Sequence, residues 1–178
     1  MEDEEKRNHL IDHLLNLSLI YFQCLDNYDS AARHAFQVLN YPHNEKQQGD
    51  ALTIIGRIFE KRGQYEKALE IYEKLGELST HSVEGYYRAG RLHKKLQNLR
   101  KAIQFYKKAL NVKKTHLKSL VSLGTILMDL EQYDRAVKYF RYAQMVNNKD
   151  IESLYGLTNS LFRLKMGNSL YPIDNVNA

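Results

Sequence analysis

The sequence is poor in the residues that break or cross-link a chain. Among its 178 residues there are 2 prolines, 1 cysteine and no tryptophan, whereas 26% are charged and 43% are hydrophobic. The single cysteine, Cys24, excludes an internal disulfide and a cysteine-rich zinc site. So few prolines, together with only 9 glycines, argue against a β-sandwich with many turns and favour helix. The hydrophobic share is large enough for a packed core and argues against intrinsic disorder.

The sequence also lacks a long apolar run. Its most apolar stretch, residues 14–22, is too short to cross a bilayer and is interrupted by Asn16 and Ser18. The first five residues, Met-Glu-Asp-Glu-Glu, are acidic where a signal or transit peptide would be basic. We therefore expect no membrane insertion and an intracellular protein, either cytoplasmic or nuclear.

The central part of the sequence is repetitive. Five rows of similar residues recur every 34 positions: Gly56, Gly90 and Gly124; Ala68, Ala102 and Ala136; Tyr72, Tyr106 and Phe140; Leu75, Ala109 and Ala143; and Leu52, Tyr86 and Leu120, which Leu154 extends. The rows divide this part into the blocks 49–82, 83–116 and 117–150. In each block, apolar residues at helical spacing form two stripes separated by a short turn. Each block therefore predicts two amphipathic helices.

The recurring small residues predict close helix packing. A glycine inside a helix costs about 1 kcal/mol relative to alanine, so glycines that recur in register need a packing reason. We expect Gly56 and Ala68 to bring the two helices of a hairpin into backbone contact. The aromatic ring four residues after each alanine is then expected to fill the space toward the next repeat.

These rows resemble the tetratricopeptide repeat, a helix-turn-helix unit of 34 residues. The resemblance covers residues 49–150 and implies an all-α fold, a right-handed superhelical solenoid of stacked helix-turn-helix units. Leu52, Tyr86 and Leu120 stand where the family often has tryptophan, which keeps a large apolar residue at the packed position. The family's frequent late proline is absent, which leaves the helix ends less sharply defined.

The two flanks of the repeats are less regular. Residues 1–48 predict N-terminal helices with a degenerate repeat, in which either Ala31 or Ala32 takes the packed position, and an irregular connection over 40–48. Residues 151–165 predict a partial repeat or a capping helix. We expect residues 166–178 to form a disordered tail.

The sequence carries no pattern typical of an enzyme. Its glycines follow the repeat period and form no phosphate-binding loop. Cys24 lies on an apolar face without a partner motif, which predicts a packing role. His9 and His13 share a helix face, but Leu10 stands where a zinc protease has glutamate, and no third ligand is evident. We predict no enzymatic activity, no metal and no cofactor.

Positive charge is concentrated in block 83–116. This block has ten lysines and arginines against a single acid, Glu84, although the net charge of the whole chain is +5. In the tetratricopeptide repeat the first helix of each unit lines a concave groove, so the resemblance implies a basic groove here. Its predicted residues are Arg57, Tyr87, Arg88, Arg91, Lys95 and Lys118. Guanidinium groups in such a groove suit carboxylates or phosphates.

The chaperone-binding members of the family hold a terminal carboxylate with lysine, asparagine and arginine side chains. Only Lys118 matches that set, because Thr53, Arg57, Arg88 and Ser122 occupy the other places. This difference argues against a chaperone clamp of the usual kind.

Three functions are compatible with these features. The leading hypothesis is a non-enzymatic scaffold whose groove binds an acidic or extended segment of a partner protein or peptide. The alternative is a structural subunit of a larger multiprotein assembly, of the transport, ciliary or cell-cycle type, because an incomplete fourth repeat invites a neighbour. Nucleic-acid binding rests on the basic cluster and a pI of about 9.1, without a recognised motif, and ranks last.

Overall fold

The structure, a computed structural model, describes residues 2–170. Within this range the chain forms nine α-helices and no β-strand. The helices are α1 (Glu2–Gln23), α2 (Tyr28–Leu39), α3 (Glu45–Lys61), α4 (Tyr65–Glu77), α5 (Ser82–Lys95), α6 (Leu99–Val112), α7 (Leu117–Asp129), α8 (Tyr133–Val146) and α9 (Ile151–Leu170). The predicted all-α fold is confirmed.

The helices form a series of stacked hairpins. Each helix packs on the next along the chain, and the first helices of adjacent hairpins also touch, as α1 touches α3 and α7 touches both α5 and α9. Three apolar clusters follow one another along the stack, the first shared by α1, α2 and α3 and the last by α6, α7 and α8. Because each hairpin contacts only its neighbours, the arrangement is a helical repeat solenoid.

The three central hairpins turn through the same backbone geometry. After α3, α5 and α7 the chain passes through Gly63, Gln97 and Glu131, whose φ angles are 72°, 60° and 58°. The next amide then bonds back to the helix, as Gln64 N donates to Phe59 O at 2.9 Å. The same bond closes the other two turns and is characteristic of the Schellman motif. The repeat period is therefore preserved in the turns as well as in the packing.

The recurring glycines make room for an aromatic ring. A Cβ on Gly90 would lie 2.8 Å from Cδ1 of Tyr106, and a Cβ on Gly124 would lie 2.8 Å from Cε1 of Phe140. The expected contact with the alanine backbone exists at Gly90, where Ala102 O is 3.3 Å from that Cβ, but it is secondary. The nearest neighbour of each glycine is the ring of its own hairpin. The expected backbone contact is therefore present at Gly90, and the Phe140 ring also fills space toward the next repeat, where it lies against Gly156.

A further row of small residues packs between hairpins. Its members lie 34 positions apart and are all buried: Ala51, Gly85, Ser119 and Ser153. The packing is tightest at Gly85, where a Cβ would lie 2.6 Å from the carbonyl carbon of Leu75 and 2.7 Å from Cα of Gly76. At this point α4 and α5 are in backbone contact.

The N-terminal hairpin is a degenerate form of the same packing. Ala31 is fully buried and Ala32 only half-buried, so Ala31 takes the packed position. Ala35, four residues later, replaces the aromatic ring of the other hairpins and is also fully buried. Ser18 Oγ donates a hydrogen bond to Ala31 O at 2.7 Å, which ties α1 to α2 at the packed alanine.

The connection between α2 and α3 is shorter than the predicted range 40–48. Helix α3 begins at Glu45 because Asn44 and Gln47 form a capping box. Asn44 Oδ1 accepts from the Gln47 amide at 2.9 Å, and Gln47 Oε1 accepts from the Asn44 amide at 3.2 Å. This extra turn places the start of α3 against α1, where Gln47 Nε2 donates to Asp12.

The last helix, α9, extends past the predicted boundary at 165 to Leu170. The rest of the predicted tail, residues 171–178, lies outside the described residues. No helix within the described part of the chain has the length and apolar character needed to cross a membrane.

Candidate partner-binding surface

A cavity of about 440 Å³ lies along the first helices of three successive hairpins. Its lining comes from four helices: Phe22 of α1; Arg57, Glu60 and Lys61 of α3; Tyr65 of α4; and Arg88, Arg91 and Lys95 of α5. Residues three or four positions apart share a helix face, which explains why each helix contributes a set of neighbours. We call this space the basic cavity, because it holds five cationic side chains and one carboxylate.

Arg57 lies against an aromatic wall of the basic cavity. Its guanidinium carbon is 4.4 Å from the centroid of the Phe22 ring, a cation–π contact. Burial lowers the pKa of the Arg57 guanidinium, and the positive charge of Arg88 adds to this effect. The group stays charged, since an arginine does not lose its proton in proteins. An anion beside it would stabilise this charge.

Arg91 is neutralised within the protein by Glu60. Its Nη2 donates to both carboxylate oxygens of Glu60, at 2.8 Å and 2.7 Å. The Tyr72 hydroxyl donates to the same carboxylate at 2.9 Å. Burial, followed by the charge of Glu60, raises the pKa of Tyr72, so its hydroxyl stays protonated and remains a donor. The Glu60 carboxylate is therefore a fixed anion inside a basic cavity.

The other cations of the basic cavity differ in their partners. Arg88 Nε lies 2.6 Å from Oε1 of Glu84, which is on the preceding turn of α5, but this N–H is not aligned for a hydrogen bond. Lys95 Nζ lies 4.7 Å from the centroid of the Tyr65 ring. Among the described side chains, no carboxylate forms an ion pair with Arg57, Lys61 or Lys95. These three cations are the ones available to an external anion.

The structure brings together four of the six residues predicted for the groove. Arg57, Arg88, Arg91 and Lys95 all line the basic cavity, whereas Tyr87 and Lys118 do not. Tyr87 is half-buried and packs its ring on those of Tyr106, at 5.9 Å, and His116, at 5.3 Å. Burial raises the pKa of Tyr87. Lys118 is exposed at the start of α7, one hairpin farther along.

Four lining residues were not identified from the sequence. Glu60 and Lys61 lie three and four positions after Arg57, so helical spacing could have placed them on the same face. Tyr65 is the first residue of the next helix, α4, which begins four residues after Lys61. Phe22 had no readable signal, because the N-terminal hairpin does not follow the 34-residue register.

The lysines of α6 and its C-terminal end are exposed, away from the basic cavity: Lys107, Lys108, Lys113 and Lys114. Lys108 Nζ lies over the rings of Phe105 and Tyr86, at 4.9 Å and 5.4 Å from their centroids. This geometry agrees with the interpretation of these lysines as a solvated face.

Outside the basic cavity, the structure corrects one sequence-based interpretation. Cys24 is exposed just after α1 and does not pack in the core, because its helix ends before it. His9 is exposed and lies 3.9 Å from a carboxylate oxygen of Glu5. Within the described residues, no three His, Cys, Asp or Glu side chains are grouped in a way that could hold a metal ion.

Solved structures with the same architecture cover most of the chain. The crystal structure of MamA protein aligns over 96% of this chain and 100% of its own, with a TM-score of 0.68 and 16% identity. A tetratricopeptide repeat protein from Parabacteroides merdae aligns over 93% of this chain and 68% of its own, with a TM-score of 0.70 and 21% identity. At these identities the likeness shows the fold alone.

A third similar structure contains a bound peptide. The first tetratricopeptide domain of Spaghetti (RPAP3), bound to the HSP90 peptide SRMEEVD, aligns over 67% of this chain and 94% of its own, with a TM-score of 0.61 and 17% identity. A search of curated protein sequences gave no match. Family models described as tetratricopeptide repeat match residues 51–81, 83–116 and 117–150, which together make up more than half of the sequence. The chain belongs to the tetratricopeptide repeat family.

Proposed function

We propose that this protein is a non-enzymatic interaction module that binds an acidic, extended segment of a partner protein in the basic cavity. The observation that carries the proposal is the excess of positive charge around the basic cavity. Arg91 and Arg88 are neutralised by Glu60 and Glu84, but Arg57 and Lys95 have no carboxylate partner among the described side chains. An external carboxylate can form the ion pairs that these two cations lack.

The shape of the basic cavity suits a side chain that combines charge with an apolar flank. Phe22 and Tyr65 form walls against which Arg57 and Lys95 already lie. These contacts hold both cations in place, so an incoming carboxylate loses less free energy to ordering them. Hydrogen bonds between a guanidinium or ammonium group and a carboxylate are charge-assisted and stronger than neutral ones.

A similar structure supports the chemical class of the partner. The HSP90 peptide held by the RPAP3 domain, SRMEEVD, has three acidic residues near its end. The present chain has Thr53 and Ser122 at two of the places where chaperone-binding members have charged or amide side chains. We therefore propose an acidic partner that is anchored mainly between α3 and α5, at Arg57 and Lys95.

The proposal is tested by titrating the protein into two labelled peptides. One alternates Glu with Ser, and the other has Gln in place of every Glu. We expect the acidic peptide alone to bind, with an affinity that falls as salt is added, because salt screens the attraction. The double variant R57E/K95E should weaken binding at least about tenfold, or about 1.4 kcal/mol.

The matched control is K107E/K113E, which makes the same change of net charge on α6 and just beyond it. It should change the affinity less than about threefold, since long-range charge alone adds little at physiological salt. Equal losses in the two double variants would mean that the peptide senses only net charge, and the basic cavity would not be the site.

A second candidate role, as a structural subunit of a larger assembly, is favoured by the last helix. Six apolar side chains of α9 are exposed: Ile151, Leu154, Tyr155, Leu161, Phe162 and Met166. Single exposed apolar residues are common, but a contiguous face of them is typical of an interface. The role is tested by the mass of the native particle, which should exceed that of one chain.

A further inference from the structure

Helices α6, α7 and α8 carry an excess of positive charge that the protein does not neutralise. From Leu99 to Val146 there are ten lysines and arginines, all exposed, against three acids, whereas the net charge of the whole chain is only +5. The three acids lie at or beside the turn between α7 and α8: Asp129, Glu131 and Asp134. Among the described side chains, none of the ten cations forms an ion pair with a carboxylate. This part of the surface therefore attracts anions.

A cavity of about 360 Å³ lies within this basic surface, between α6 and α8. From the α6 side it is lined by Lys107, Asn111 and Lys114, which are four and three positions apart and so share a face. From α8 it is lined by Tyr139 and Tyr142. We call this space the tyrosine furrow. Because α6 and α8 are the second helices of their hairpins, the tyrosine furrow lies apart from the basic cavity, which follows the first helices.

The polar and aromatic groups of the tyrosine furrow are not paired with one another. In the described part of the chain, neither of its tyrosines packs on another ring or lies under a cation. The Asn111 amide and the two tyrosine hydroxyls make no hydrogen bond to any described residue. Elsewhere cations lie over the neighbouring rings, as Lys108 lies over Phe105. The tyrosine furrow thus offers two cations, an amide and two rings to a ligand.

We propose that the tyrosine furrow binds a single-stranded nucleic acid, with a base against Tyr142 and backbone phosphates at Lys107 and Lys114. Proteins that bind single strands combine cations that follow the backbone with aromatic rings on which bases stack. The two lysines are seven positions apart, about 10 Å along a helix, so they can contact phosphates on either side of one nucleotide. Asn111 lies between them, and its amide can both donate and accept at the edge of a base.

The composition of the tyrosine furrow favours a single strand over other anions. A base inside a duplex is stacked on its neighbours and cannot reach a protein ring, whereas a base of a single strand can. An acidic peptide would pair with the two lysines alone, whereas a nucleotide uses the cations, the amide and a ring together. On the sequence, nucleic-acid binding ranked last for want of a motif. This inference gives it a site, and it does not depend on the proposed function.

The test is fluorescence anisotropy of a labelled thymidine strand of about twelve nucleotides, titrated with the full chain at low salt. The matched probe is an abasic strand of the same length, which has the same phosphates but no bases. We expect the thymidine strand to bind at least about fivefold more tightly, because only its bases can stack. Its affinity should fall as salt is added, since the lysines displace counterions from the strand.

Charge reversal tests the phosphate contacts. The double variant K107E/K114E should weaken binding of the thymidine strand at least about tenfold and reduce its salt dependence, because two phosphate contacts are lost. The matched control is R57E/K95E, which makes the same change of net charge at the basic cavity. It should change the affinity for the strand less than about threefold, since long-range charge is screened at physiological salt.

Removal of a ring tests the stacking. Tyr142→Ala should weaken binding of the thymidine strand about tenfold and leave the abasic strand unaffected, whereas Tyr142→Phe keeps the ring and should keep the affinity. The control is Tyr41→Ala, which removes a tyrosine of similar exposure, 40% against 37%, between α2 and α3. It should bind like the wild type. Circular dichroism melting curves check that every variant is folded.

Several results would overturn the proposal. The thymidine strand could fail to bind at low salt, or could bind no more tightly than the abasic strand, which would leave no base in the tyrosine furrow. Equal losses in K107E/K114E and R57E/K95E would mean that the strand responds only to net charge. Displacement of the strand by the Glu-Ser peptide would mean that the two share one site. None of these results decides whether the peptide itself binds in the basic cavity, which R57E/K95E tests separately.

Discussion

The basic cavity and the exposed apolar residues of α9 both lie on the first helices of hairpins, yet their chemistry is opposite. Arg57 and Arg91 occupy one repeat position in α3 and α5, and Thr125 occupies it in α7. That position lies outside the apolar core, so both charged and polar residues can occupy it. Leu120 and Leu154 occupy another position that faces the core, and there the residue stays apolar even where no described helix covers it. Packing preserves a row of residues, whereas a row outside the core can vary.

The largest expected effect on stability comes from Phe140, the ring on which α9 packs. Phe140 is 1% exposed and lies between Gly124 of α7 and Gly156 of α9. Phe140→Ala should lower the free energy of unfolding by about 4 kcal/mol, because it leaves a cavity that two glycines cannot fill. Urea denaturation measures the effect. Tyr142→Ala, on the exposed side of α8, is the control and should cost less than about 1 kcal/mol.

The second prediction concerns the contact between α4 and α5, the helix that carries three of the eight residues lining the basic cavity. Gly85→Ala should destabilise the protein by about 2 kcal/mol, because its Cβ meets backbone atoms of Leu75 and Gly76 that cannot rotate away. Ser119→Ala, at the same repeat position in α7, should stay within about 1 kcal/mol. Thermal melting of the two variants compares them. Equal stability of both would mean that the contact between α4 and α5 can relax.

The third prediction concerns the effect of the Glu60 carboxylate on binding in the basic cavity. Glu60→Gln removes the internal anion but keeps an acceptor for Arg91 and Tyr72. Binding of the acidic peptide should become severalfold tighter, about 1 kcal/mol, since the incoming carboxylate no longer meets a like charge. Glu70→Gln on α4, an exposed residue outside the cavity, makes the same change of net charge and should have little effect. Weaker binding by the Glu60 variant would instead show that this carboxylate serves to position Arg91.

The smallest effect concerns pH and the core of α5. His93 is 3% exposed, stacks on Phe105 at 5.3 Å and has no hydrogen-bond partner at Nδ1. Burial, and then the charge of Lys101, lowers the pKa of its imidazole. The unfolded chain therefore binds this proton more tightly than the folded chain, and stability is lost as the pH falls from about 6.5 through the lowered value.

The contribution of His93 is measured by difference, because His116 also has a pKa lowered mainly by burial. We expect His93→Gln to lose less stability than the wild type between pH 7.5 and pH 5.5. His9→Gln, at an exposed position, should follow the wild-type profile. If the profiles of the wild type and of His93→Gln coincided, His93 would not titrate in this range.

Part of the molecule could be predicted from the sequence because packing repeats. Tyr72, Tyr106 and Phe140 each meet a glycine of their own hairpin in the three central hairpins, so their spacing indicated these hairpins directly. The row that includes Gly85 was equally regular but was not recognised, because its members alternate among Ala, Gly and Ser and show no apolar signal. The capping box at Asn44 and Gln47 was also readable, and it explains why α3 starts at Glu45.

The aromatic wall and the internal anion of the basic cavity depend on contacts that the 34-residue spacing does not reveal. Phe22 reaches the basic cavity from a hairpin whose register is shifted relative to the others. Glu60 has Lys94 and Met128 at the equivalent repeat positions, so its row gives no hint of a fixed anion. The sequence therefore predicted four of the five cations of the cavity but neither its aromatic wall nor its internal charge.

The central claim is that acidic groups of a partner enter the basic cavity, and the most direct test is an experimental structure of the chain with the Glu-Ser peptide. The account predicts peptide carboxylates within hydrogen-bond distance of the Arg57 guanidinium and Lys95 Nζ, between the rings of Phe22 and Tyr65. A peptide bound instead along the lysines of α6, with the cavity empty, would contradict it.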